Sequence, residues 1–199
     1  MRLNENINYI VSGLERSGTS MLMQILNAGG LPVAFDTDSR PPDENNPKGY
    51  FELEGGKIIN RLMEGRFRLD DYKGRIIKIT AFGLKFLPRG DYKIIYSRRN
   101  LEEILDSMEK MARVKDEDRE ATRDAFVKLD KMISNLISAR EDMDVLFFDY
   151  NRALEDPGAG VTKIEEFLDA GGLDAGKMIS VVDKKLYRNK KTGEENKDG

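Results

Sequence analysis

Three groups of residues have the types and the spacing to do chemistry. The first is the run Ser12-Gly13-Leu14-Glu15-Arg16-Ser17-Gly18-Thr19-Ser20. Its glycines permit a tight turn and close backbone approach to a bound group. Amides that open a following helix, aided by the helix dipole, favour a phosphate or sulfate there. The G-x-x-x-x-G spacing is that of a P-loop, but Thr19-Ser20 stands where that motif has Lys-Ser/Thr, and the basic side chain has moved inside the loop, to Arg16. The second group is Tyr96-Ser97-Arg98-Arg99-Asn100, followed by Ser107. A guanidinium gives charge-assisted and bidentate contacts to phosphate. The third is a set of carboxylates, Asp38, Asp43, Glu44 and Glu52, with Lys78 further on. A buried carboxylate with a raised pKa is a competent general base at neutral pH.

What is missing narrows the chemistry further. The chain has no cysteine and no histidine. Thiolate nucleophiles, Ser-His-Asp triads, and metal sites built on Cys or His are therefore excluded. Proton transfer must fall to Asp, Glu, Lys, Arg, Ser, Thr or Tyr.

These groups need elements to hold them. Residues 7–11 are rich in β-branched side chains and predict a first strand, and 17–28 carry apolar residues at helical spacing, ended by Gly29-Gly30. The Pro-, Asn- and charge-rich stretch 40–49 predicts an exposed loop, and 54–64 a helix. RIIKIT (75–80), YKIIY (92–96) and DVLFF (144–148) read as further strands. Helices are expected over 101–112, with Asn100 as cap and Glu103 completing a capping box, and over 119–139, 161–168 and 175–181. Strands separated by helices imply βαβ units and a parallel sheet covered on both faces, with ligands at the carboxyl ends of the strands. The expectation is an α/β, three-layer, P-loop-like fold with a central parallel sheet flanked by helices.

Length and composition agree with that. The 199 residues suit one domain over 1–189, with a polar, fraying tail over 190–199. Apolar residues make up 39% and charged residues 35%, with no apolar run near the ~20 residues of a membrane span. The net charge of −3 argues against a general nucleic-acid binder. The N-terminal segment, with its acidic Glu5, is unlike a secretory signal, so the cytoplasm is the expected compartment.

The motifs also carry a resemblance. Glu15-Arg16-Ser17-Gly18-Thr19-Ser20 resembles the 5′-phosphosulfate loop, P-[KR]-S-G-T-[TS], of the sulfotransferases that use 3′-phosphoadenosine 5′-phosphosulfate (PAPS), with Glu15 in place of the proline. Arg99-Asn100 with Ser107 resembles the 3′-phosphate motif of the same family. VLFFDYNRALEDPGAGVTKIEEFL resembles its later strand, Y-E-x-L-like segment and helix, although Asp149 can equally be read as the magnesium-binding aspartate of a kinase-type P-loop protein. Carried over, the resemblance implies that residues 15–20 bind the 5′-phosphosulfate. It assigns Arg99 and Ser107 to the 3′-phosphate and Arg16 to the charge on the leaving oxygen. It implies PAPS as co-substrate, no metal, and sulfuryl transfer to a hydroxyl or amine of a carbohydrate, small alcohol, lipid or protein tyrosine.

One departure bears on mechanism. Where the family often has K-T-H, this chain has Lys78-Ile79-Thr80, keeping the lysine and losing the histidine. A carboxylate is the expected substitute: Asp38, in a D-S-R that sits where the tyrosylprotein branch of the family has E-T-R, or nearby Asp43, Glu44 or Glu52. The NPKGYFE stretch is expected at the rim of the acceptor site. Lys184, Lys185, Arg188 and Lys190 form either a further phosphate-facing patch or a solvated basic tail. Two other functions are open at this stage: a P-loop nucleotide kinase or hydrolase, and a nucleotide-binding protein without catalytic activity. Oligomeric state is not specified by the sequence.

Overall fold

The computed structural model describes residues 2–182 apart from 37, 39 and 45. The basic cluster beyond residue 182 and the 189/190 boundary lie outside the described residues. Four strands form the sheet: β1 (Asn8–Gly13), β2 (Ile76–Lys78), β3 (Tyr92–Arg98) and β4 (Met143–Asp149). All pair in parallel, in the order β2-β1-β3-β4. The register aligns Val11 with Lys78 and Ile95, and Gly13 with Ser97, which in turn pairs with Phe148. The loop glycine, the lysine and the Arg98-Arg99 pair therefore all leave from one edge of the sheet.

The helices are α1 (Thr19–Ala28), α2 (Ile58–Met63), α3 (Leu101–Ala112), α4 (Arg119–Ser138), α5 (Tyr150–Glu155), α6 (Pro157–Leu168) and α7 (Ala175–Ser180). Side-chain alternation along the strands splits the core in two. Ile10, Ile77, Ile94 and Tyr96 face Ile104 of α3 and Ile133 and Ile137 of α4. Tyr9, Val11, Ile76 and Ile95 face Leu22, Ile25 and Leu26 of α1, Ile164 of α6 and Met178 of α7. Every residue of β1 is buried, because it lies between two strands and two helical layers. This is the expected three-layer α/β fold.

Local differences from the sequence reading have clear causes. The helix expected over 54–64 is broken into a 3-10 turn (Glu54–Gly56) and the short α2, since Gly55 and Gly56 take φ of 61° and 87°. Helix α6 starts at Pro157, earlier than expected, because Asp156 caps it and proline is accommodated in a first helical turn. Helix α5 was not expected from the sequence; Asp149 caps it by accepting from the Arg152 amide at 3.0 Å. At α3, Asn100 does cap, accepting from the amides of Glu102 (2.9 Å) and Glu103 (3.3 Å). The reciprocal half of the capping box is absent: the Asn100 amide donates to Asn151 Oδ1, and Glu103 is directed elsewhere. No helix among the described residues is long and apolar enough to cross a membrane.

Candidate functional site

The β1–α1 loop is held by backbone geometry that few side chains tolerate. Gly18 has φ of 100°, and a Cβ there would lie 2.1 Å from Cδ2 of Tyr150. Arg16 itself takes φ of 64°, sparsely populated for a residue with a Cβ and a strain that clusters at ligand-binding loops. Ser97 at the end of β3 donates through Oγ to the Ser17 carbonyl at 2.7 Å, tying the loop to the sheet. Helices α3 to α7 each start with an Asn or Asp whose side chain caps them. Helix α1 starts at Gly18 with no side-chain cap. Its first-turn amides, together with the dipole, suit an anion.

The second motif comes to the same place. Arg16 Nε donates to Ser107 Oγ at 3.0 Å across 91 residues of sequence, and Arg99 Nη1 donates to the Arg16 carbonyl at 3.1 Å. Parallel pairing of β1 and β3 puts their carboxyl ends side by side, and α3 carries Ser107 back over the loop. Burial lowers the pKa of Arg16, and Arg99 and Arg40 push it the same way against the pull of Tyr50 and Asp43. This density of positive charge beside the amides opening α1 suits an anion such as phosphate.

Opposite this cluster lies the Lys78–Glu52 pair. Lys78 Nζ is 2.9 Å from Glu52 Oε1, donates to Ser20 Oγ at 3.3 Å, and also donates to the Tyr50 carbonyl. Arg40 Nη1 is 2.8 Å from Glu52 Oε2, and its guanidinium lies 3.6 Å from the centre of the Tyr50 ring. Tyr50 in turn donates to the Asp43 carboxylate at 2.8–2.9 Å. Burial alone pushes the Glu52 carboxyl up, but Lys78 and Arg40 outweigh it and hold the pKa below the usual carboxylate value. The same pair does not restore Lys78, whose deeper burial lowers its pKa in spite of Glu52. Its side chain is 4% exposed against 12% for Glu52. A carboxylate ionised at neutral pH therefore faces the loop, with two cations against it. The raised carboxylate pKa expected of a buried base is not what this environment produces.

The two clusters line one cavity of about 390 Å³. Of the residues singled out in the sequence, Glu15, Arg16, Gly18, Thr19, Ser20, Glu52, Lys78, Arg99 and Ser107 line it. Ser17 is buried beneath the loop and does not. Asp38 is exposed and outside the lining. Glu44 is exposed, outside the lining, and paired with Arg113. Asn46 and Pro47 of the NPKGYFE stretch stand at the cavity as expected of a rim segment. Asp149 is exposed, caps α5 and does not line the cavity. No group of three or more acidic side chains among the described residues could hold a metal ion.

Sequence reasoning met Tyr150, Arg40 and Tyr50 only inside the Y-E-x-L-like, D-S-R and NPKGYFE segments, gave them no role of their own, and assigned Glu103 to a cap. Tyr150 stacks on Arg99, ring centre to guanidinium 4.7 Å, and its pKa is raised by burial. Its sequence signals were its place directly after a strand end and at the head of the Y-E-x-L-like segment.

Fold and site together describe an α/β protein in which a glycine-containing β1–α1 loop and the Arg99–Ser107 segment line one cavity. Comparison with known proteins then narrows the class. The family described as "Sulfotransferase domain" matches residues 7–198, so this chain belongs to the sulfotransferase domain family. Among solved structures it is similar to a mouse sulfotransferase complexed with PAP, at 18% identity and a TM-score of 0.51, over 90% of this chain and 63% of that one. A retinol dehydratase in complex with retinol and PAP aligns at 14% identity and a TM-score of 0.48, over 90% of this chain and 64% of that one. The chain thus spans under two thirds of the length of either structure. A search of curated proteins gives no match.

Proposed function

We propose that this protein transfers a sulfuryl group from PAPS to a hydroxyl or amine acceptor. The observation that carries the proposal is the meeting of the two phosphate motifs, Arg16 Nε to Ser107 Oγ at 3.0 Å, in the cavity that also holds the Lys78–Glu52 pair. In this reading the amides opening α1, with Thr19 and Ser20, hold the 5′-phosphosulfate. Arg99 and Ser107 hold the 3′-phosphate. The transition state of such a transfer is loose by analogy with phosphoryl transfer, so catalysis rests on position and charge. The bond from sulfur to the 5′-phosphate oxygen breaks, and Arg16 stabilises the charge left on that oxygen. A new bond joins sulfur to the acceptor oxygen or nitrogen, whose proton passes to Glu52.

Glu52 is the favoured base because, of the four carboxylates Asp38, Asp43, Glu44 and Glu52, it alone lines the cavity. Its ionised state suits proton acceptance, and its two cations limit its basicity. When Lys78 turns from Glu52 toward the transferring group, the carboxylate becomes the stronger base. The acceptor class stays at the level of a hydroxyl or amine. Calorimetric titration with 3′-phosphoadenosine 5′-phosphate (PAP), AMP and Mg·ATP at one salt concentration tests the donor assignment. The expected result is tight, magnesium-independent binding of PAP and much weaker binding of AMP. Preference for Mg·ATP, or no binding, would overturn it.

A further inference from the structure

Arg99 is held on three sides, and one of them leads away from the phosphate motifs. Its Nη1 meets the Arg16 carbonyl at 3.1 Å and its face meets the Tyr150 ring. Its Nε donates to Glu103 Oε2 at 3.1 Å, one helical turn further along α3. Glu103 is 2% exposed, a depth at which an ionised carboxylate needs several donors. The further donor comes from outside α3. Asn151 Nδ2 lies 3.2 Å from Oε1 and 3.1 Å from Oε2 of Glu103. The other end of the same amide, Oδ1, accepts from the Asn100 amide at 3.4 Å.

We propose that Glu103 and Asn151 are positioning residues that aim Arg99, and that they thereby set how strongly the site distinguishes a 3′-phosphorylated nucleotide from a plain 5′-nucleotide. The proposal rests on the donor reading above. A guanidinium recognises phosphate through a planar fork, so a small rotation about its long side chain loses the paired contact. Glu103 removes that rotation at Nε, and Asn151 keeps Glu103 in place. An amide is the side chain this position needs, since it donates to one partner and accepts from the other. An aspartate could accept from Asn100 but would set a second carboxylate against Glu103. The network joins the segment after β4 to the segment after β3, so selection of the donor depends on a residue outside both phosphate motifs.

The test is the ratio of PAP to AMP affinity, read by calorimetry on the full chain. Asn151→Asp, Asn151→Ala and Glu103→Gln are compared with the unaltered protein, with melting temperatures taken alongside. Asn151 is only partly buried, so its variants report even where Glu103→Gln fails to fold. The expected outcome is a fall in PAP affinity of about tenfold or more, the scale of one hydrogen bond to a charged group, at unchanged AMP affinity. Asn151→Asp should be the more severe of the two Asn151 variants. Equal losses for PAP and AMP would show a structural role alone and overturn the proposal, as would no change in either. An unaltered protein that does not prefer PAP over AMP would instead overturn the donor reading on which the proposal stands.

Discussion

The two halves of the cavity are built in different ways. The half formed by the β1–α1 loop and α3 is set by the sheet: β1 and β3 pair along their full lengths, and Ser97, Arg99 and Ser107 hold the loop from the neighbouring strand and helix. The described residues of 35–56 have little regular structure and, with Lys78 of β2, are organised by charge through Glu52, Arg40, Tyr50 and Asp43. Paired strands fix a site by backbone hydrogen-bond register, whereas ion pairs among loop residues fix it by mutual neutralisation. The first should tolerate little change in shape, and the second little change in charge.

The sharpest test of that contrast is Glu52→Gln, which keeps shape and removes charge. Turnover should fall about 10²- to 10⁴-fold, the range for a general base, while PAP affinity stays unchanged. Melting temperature should also drop, because Lys78 and Arg40 lose their shared partner. Full turnover in this variant would remove Glu52 from the chemistry.

Gly18→Ala probes the other half by changing shape without charge. The added methyl meets Tyr150 and sits at φ of 100°. Stability should fall by roughly 2 to 4 kcal/mol from strain and overpacking combined, and PAP binding should weaken with it. Denaturant titration reads the first and calorimetry the second. A neutral result would mean that the loop is less constrained than its contacts imply.

Acid sensitivity should follow the charged half. The Glu52 pKa is depressed in the folded protein relative to its usual 4.5. A depressed carboxylate contributes stability that is present above the unfolded value and is lost as pH falls through the lower folded one. Below about pH 4.5 the unaltered protein should therefore lose stability more steeply than Glu52→Gln. Parallel acid-unfolding curves would contradict this.

The smallest effect is expected away from the cavity. Arg119 joins α4 to α3 through Glu102, Asp106 and Glu109, and with Arg123 it holds the Glu102 carboxyl at about 2. These groups are partly solvated, so Arg119→Ala should cost about 0.5 to 1 kcal/mol, less at high salt. PAP affinity should not change. A change would show that α4 supports the donor half through α3.

Residue order alone was enough for the fold class and for the two phosphate-type motifs. Periodicity located all four strands and most of the helices, because buried parallel strands and amphipathic helices carry their packing in local residue order. The loop glycines, Arg16 and Arg99 were readable because they stand just after strand ends, where backbone geometry leaves few choices of residue, and Ser107 by its interval from Arg99. Residue order draws no distinction among Asp38, Asp43, Glu44 and Glu52, and packing brings Glu52 alone of the four into the cavity lining. All four sit in one polar stretch with no periodicity to separate them, and the ion pair with Lys78, 26 residues beyond Glu52, holds Glu52 at the cavity. Glu103 shows the same limit: its spacing from Asn100 predicts a capping box, yet burial beside Arg99 and Asn151 gives its carboxylate other partners. Local spacing specifies which contacts are available within one element, and the packing of separate elements specifies which of them are made.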